Sequence, residues 1–351
     1  MKQTKKVVFI ILLSLTGICL LLFLSVWIFS GNTPEGKTRI AEKGWTEIGG
    51  IRQGYFIRGK NEENPVLLFL HGGPGSPELP MIKNTELEKY FTICYWDQRG
   101  AGMSYNSDTK PGTMTVAQMV EDARAMTDIL RQRYGQDKIY LMGHSWGSYL
   151  GIKTIEKYPG LYKAYIGIGQ VTHQRESERM AYDYIIGEAQ KAGDQKTVKA
   201  FTKYDKYAPE FPSNDYLLKV RTQGMNKYGV GIMHKNASMF HIALDLMYYR
   251  GYTLGDKLNY LQGTMFSLQN LFHCVLEDNL FESSIHFEVP VYIVHGKYDY
   301  QVSYALAKAW ADTISAPGKA FYTFENSAHS PNIEEVEKFV EVVRSVLEKY
   351  K

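Results

Sequence analysis

The chain has 351 residues, 44% of them apolar and 22% charged, a globular balance that excludes wholesale disorder and collagen-like structure. Its 40 Lys and Arg against 37 Asp and Glu leave a net charge of +3, too little to make nucleic acid a principal partner. Cys19, Cys94 and Cys274 cannot build a disulfide framework, and with no CxxC or Cys/His cluster neither a metal site nor a cofactor is implied.

The chain opens on MKQTKK and then runs from Val7 to Ser30 without a charge. As a helix this stretch would span about 36 Å, enough for a hydrocarbon core of about 30 Å. Trp27 and Phe29 sit near its outer end, where aromatic rings suit the headgroup region. A cleaved signal would have a shorter apolar run and small residues before the cut, and Ile28, Phe29, Ser30 and Gly31 make a poor site. A lipoprotein cysteine fails too, since Cys19 follows Ile18 in mid-run. A soluble core helix would not be apolar on every face. The reading adopted is a single-pass membrane anchor through residues 7–30. Its basic tip lies in the cytoplasm, and everything after residue 31 lies on the outer side of the cell membrane. Lys2, Lys5 and Lys6 account for the whole charge excess, so the remainder of the chain is neutral.

Residues 31–45 are polar and read as a linker. A hairpin is expected within 48–57. Short runs rich in β-branched and aromatic residues follow at 65–70, 91–96, 138–142, 164–169, 289–294 and 320–324, the pattern of buried parallel strands. Between them, a helix starts at Thr115, where Thr115 and Gln118 fit a capping box, and Gly135 suits its end. A last helix after Pro331 carries Ile333, Val336, Phe339, Val340, Val343 and Leu347 on one stripe. Alternating strands and helices predict an α/β fold, with a core over 46–170 and 286–351. Residues 171–285 lack strand patterns and read as a helical cap.

The chemistry concentrates at Gly143-His144-Ser145-Trp146-Gly147. This G-x-S-x-G follows a strand and precedes an apolar helical run, the setting of a nucleophile elbow. A serine hydroxyl needs a base. His329, after the strand at 320–324, can take the Ser145 proton, and Asp299, after the strand at 289–294, can orient the imidazole. Both fall at the carboxyl ends of strands, where open α/β sheets bind ligands. Asp97 and Glu325 are the rival acids, but Asp97 precedes Ser145 in the chain and has Arg99 as an expected charge partner. His71, His144 and His295 adjoin glycine turns and read as loop or packing histidines. The His71-Gly72-Gly73-Pro74-Gly75 turn offers an oxyanion donor at Gly73, and the Trp146 N–H offers the second.

Together HGGPG at 71–75, WDQRGAGMS at 96–104 and GHSWGS at 143–148 resemble the proline iminopeptidase group of α/β-hydrolases, peptidase family S33. The resemblance covers about residues 45–170 and 286–351. It implies a mostly parallel eight-stranded sheet with helices on both faces and a helical cap. It also implies Ser145, Asp299 and His329 as the triad and Gly73 and Trp146 as oxyanion donors. Family aminopeptidases bind the substrate's α-amino group with cap carboxylates, for which Glu176, Glu178, Asp183 and Glu188 are the candidates. The expected activity is release of N-terminal residues from short peptides or amino-acid amides through an acyl-enzyme. An esterase or lipase would carry the same triad, and a catalytically silent scaffold is a third reading. Epoxide-opening relatives use an aspartate nucleophile, against which Ser145 argues.

Overall fold

The computed structural model describes residues 2–28, 30, 40–235 and 239–350. Helix α1 (Lys2–Ile28) is exposed along most of its length, and its stretch Phe9–Ile28 is long and apolar enough to cross a membrane. The core is one eight-stranded sheet in the order β1-β2-β4-β3-β5-β6-β7-β8. β1 (Ile40–Ile48) and β2 (Ile51–Gly59) form an antiparallel hairpin, and β2 pairs antiparallel with β4 (Thr92–Trp96). β3 (Val66–Leu70), β4, β5 (Ile139–His144), β6 (Tyr162–Ile168), β7 (Val291–Gly296) and β8 (Lys319–Phe324) run parallel.

The hairpin begins earlier than its sequence suggests. Residues 40–45, read as linker, belong to β1, which pairs with β2 from Ile40 to Ile48. Their polarity is that of an edge strand, with Glu42 paired to Arg133 and Lys43 to Asp256. The rest of that linker, residues 31–39, lies outside the described residues.

Successive strand residues feed opposite faces. Leu68, Leu70, Cys94, Trp96 and Leu141 pack with α2 (Val116–Tyr134) and α3 (Trp146–Lys157), while Leu67, Phe69, Ile93, Tyr95 and Met142 belong to the other layer. The Thr115 side chain caps α2 by accepting from the Gln118 N–H, and Gly135 ends it at φ 61°. The box is only half built, because the Gln118 amide turns to Asp122.

The cap comprises α4 (Gln174–Lys191), α5 (Gln195–Phe201), α6 (Asn214–Tyr216), α7 (Thr222–Lys227), α8 (Met239–Tyr248), α9 (Leu254–Glu277) and α10 (Leu280–Ser283). It has its own apolar centre around Tyr182, Ile185, Phe201, Phe211 and Tyr216. After α11 (Tyr304–Thr313), the last helical stretch is broken into α12 (Pro331–Glu334) and α13 (Val336–Lys349). At the break, Glu335 accepts from the Asn326 N–H and the Ser327 hydroxyl. α13 buries Phe339, Val343, Val346 and Leu347 in the layer opposite α2 and α3.

Candidate active site

Ser145 stands between β5 and α3 with φ 54°, the one described non-glycine residue at positive φ. A β-branched or bulky residue would be strained there, and the conformation is sustained by its surroundings. The flanking glycines are a steric requirement. A Cβ on Gly143 would lie 2.1 Å from the Gly147 carbonyl oxygen, and one on Gly147 would lie 2.0 Å from that of Leu70. Ser145 keeps partial exposure, and the Trp146 N–H is among the free donors heading α3. Gly73, at φ 114°, is exposed on the neighbouring turn.

Asp299 and His329 come together from the ends of β7 and β8. His329 Nδ1 lies 2.7 Å from Asp299 Oδ2. Oδ1 accepts the Val302 N–H at 2.8 Å, and His295 Nε2 approaches Oδ2 at 3.1 Å. Burial opposes ionisation of Asp299, but its interactions with His329 and His295 hold its carboxyl well below the ordinary aspartate range. An ionised Asp299 requires His329 Nδ1 to donate, which leaves Nε2 as the basic lone pair. Nε2 is buried without a hydrogen-bond partner. Burial lowers the His329 pKa despite Asp299, and the nearby His144 and His295 lower it further. His329 is therefore a neutral base beside a carboxylate.

The other acids are committed elsewhere. Asp97 accepts from the Met103 N–H at 2.8 Å and from the Tyr252 hydroxyl, and burial pushes its pKa up to about 7. Arg99 does not pair with it. It forks onto Asp122 on α2, at 2.7 and 3.1 Å, because the DQRG turn aims the guanidinium back under the hairpin. Glu325 pairs with Lys297 on the surface.

Among the cap carboxylates, Glu178 is fully buried and spends both oxygens on Arg221, each at 2.6 Å, with Gln174 donating at 2.9 Å. Glu176 pairs with Arg179, Glu188 with Lys191 and Asp183 with Lys206. Each has a cation within its own cap.

One constellation is not visible in any motif. Glu78, seven residues past His71, is buried and accepts from the Gly72 N–H at 3.0 Å and from His144 Nδ1 at 2.5 Å. His144 Nε2 meets the His329 carbonyl oxygen at 2.8 Å. Both ring nitrogens therefore face acceptors, which makes His144 an imidazolium. Burial opposes its charge, but Glu78 raises the His144 pKa, and His144 in turn holds Glu78 below the usual carboxylate value. His71 is the neutral member: burial pushes it down to about 4, and its Nε2 accepts the Gln98 N–H. A helix or loop register betrays none of this, since Glu78 and His144 are 66 residues apart.

A cavity of about 380 Å³ lies lower down, between Phe69, Tyr95 and Met142 of the sheet, α8 and α13. Ser145, Asp299 and His329 do not line it, so it is separate from the residues that can do chemistry. Among the described residues no group of three His, Cys, Asp or Glu could hold a metal ion.

Residues 65–336 match the family model described as the alpha/beta hydrolase fold. The "Probable aminopeptidase YbaC" of Bacillus subtilis (strain 168) is 33% identical over 311 residues, covering 87% of this chain and 96% of that protein. The proline iminopeptidase of Saccharolobus solfataricus is 24% identical over 319 residues, covering 90% and 95%. Among solved structures, the proline iminopeptidase of Mycobacterium smegmatis superposes with a TM-score of 0.65 at 14% identity, covering 88% of this chain and 98% of that one. The epoxide hydrolase VrEH1 of Vigna radiata gives 0.57 at 18%, covering 90% and 100%, so the fold also serves other hydrolases. With its family model matched over most of its length and a 33% identical relative spanned almost end to end, the chain belongs to the α/β-hydrolase family.

Proposed function

We propose that the protein is a membrane-anchored serine hydrolase that releases N-terminal residues from short peptides or amino-acid amides. The observations that carry the reading are the Asp299–His329 pair with an unpartnered Nε2, and Ser145 on a positive-φ elbow whose preceding residue, His144, meets the His329 carbonyl. Ser145 Oγ attacks the scissile carbonyl as His329 takes its proton, while Asp299 stabilises the imidazolium. The oxyanion forms against the Gly73 and Trp146 N–H groups. His329 returns the proton to the leaving amine, and water then releases the acyl group by the same route. The apolar stretch of α1 is read as the anchor, with the lysines before it in the cytoplasm.

The esterase reading keeps one specific support: Glu176, Glu178 and Glu188 are all paired with cap cations, so none offers an uncommitted anion to an α-ammonium group. A substrate panel on the full chain in detergent decides between the two. Amino-acid naphthylamides should turn over, and Ser145→Ala should abolish both turnover and fluorophosphonate labelling. Turnover of p-nitrophenyl esters with none of any free-amine substrate would replace the peptidase reading by the esterase one. An unreactive wild type would leave a silent scaffold.

A further inference from the structure

Cap helix α9 has two faces with different partners. Its inner face closes on the turns beside Ser145: Thr264 Oγ1 donates to the Gly75 carbonyl at 2.8 Å, and Ser267 Oγ donates to that of Gly100 at 2.9 Å. Gly263 and Ser267 are buried there. The outer face carries Leu258, Leu261 and Met265, which are 61%, 58% and 49% exposed. Their spacing of three and four residues puts them on one stripe, about 10 Å long. Single exposed leucines are ordinary, but an aligned stripe on a helix is an interaction surface.

What covers it is indicated by the end of α1. Val26, in the last turn of α1, is buried. Ser30, two residues past the helix, accepts from Lys257 Nζ at 2.7 Å, and Lys257 adjoins Leu258. The apolar helix therefore leaves the folded domain at the head of the stripe. Trp45 and the exposed Arg52, whose guanidinium stacks over the indole at 4.6 Å, share a cleft with Asn259 and Gln262 of α9. Leucine and methionine side chains beside a Trp and an Arg make an interfacial composition: apolar groups for the acyl boundary, an indole and a guanidinium for the headgroups.

We infer that the outer face of α9, with Trp45 and Arg52, is a docking surface for the outer leaflet of the lipid bilayer that α1 crosses. This rests on the anchor reading of α1. The bilayer would then hold α9 from outside while its inner face backs the Gly75 and Gly100 turns, so the cap lies flat on the membrane.

The test uses the full chain with Cys19→Ser and Cys274→Ser, reconstituted in phosphatidylcholine nanodiscs with or without doxyl-labelled lipid. A fluorophore is attached at Leu261→Cys, or at Tyr207→Cys on another exposed part of the cap. Docking predicts several-fold stronger quenching at 261 than at 207, and loss of that difference when Leu258 and Met265 are replaced by Glu. Equal quenching at the two positions, weak or strong, in a protein that resists carbonate extraction overturns the docking surface and leaves the anchor standing. Release by carbonate overturns both.

Discussion

His144 Nε2 donates to the main-chain carbonyl of His329 at 2.8 Å, with the two rings 4.7 Å apart. The residue before Ser145 thus holds the His329 loop, while its other nitrogen, through Glu78, reaches the Gly72 N–H of the 71–75 turn. The Gly72 turn, the elbow and the His329 loop are joined through a single buried ion pair. Such a pair is costly to desolvate and costly to break, so its worth lies in geometry more than in net stability.

The first prediction concerns pH. In the proposed mechanism His329 acts as a base only when neutral, and its pKa is held below the ordinary histidine value. The acid limb of kcat/KM should therefore have its midpoint below about 6.5. His144→Gln removes a cation facing His329, leaving Asp299 and Glu78 as the nearby anions, with His295 still present. The midpoint should move upward. A profile that stays put or moves down would sink the account of the pair.

Asp299→Asn should leave the fold intact, since the amide can still meet His329 and Val302. It favours the wrong imidazole tautomer, so kcat should fall by about 10⁴-fold. Retention of more than about a tenth of wild-type kcat would remove Asp299 from the proposed triad.

Glu178→Ala strands the Arg221 guanidinium in the cap interior and should cost about 3–5 kcal/mol in denaturant titration. Glu176→Ala, on a half-exposed pair, should cost less than about 1 kcal/mol. Equal effects would mean that the cap does not depend on the buried pair.

Gly147→Ala places a methyl 2.0 Å from the Leu70 carbonyl oxygen, whereas Gly160→Ala meets nothing within 4 Å. The first should lower stability by about 3 kcal/mol or more and abolish fluorophosphonate labelling. The second should change thermal unfolding by no more than about 1 kcal/mol. Matching melting curves for the two would contradict the packing of the elbow.

Much of this protein is legible in its amino-acid sequence alone. The parallel strands announce themselves because burial on both faces demands continuous apolar runs such as Val66–Leu70. The elbow is legible because a strand, a tight turn and a helix are contiguous, and sterics confine positions 143 and 147 to glycine. The first 30 residues declare their own chemistry, and they hold the entire charge excess, so the +3 says nothing about the neutral domain that follows.

Tertiary structure decided the pairings. Arg99 chose Asp122 over its near neighbour Asp97, Arg221 consumed Glu178, and Glu78 met His144 across 66 residues. Residues 40–45 became an edge strand because β2 offered a partner, which no local composition reveals. Local pattern specifies which backbone forms. The partner of a buried charge depends on which carboxylate or cation the folded chain brings within hydrogen-bonding distance, and that is set by contacts distant in sequence.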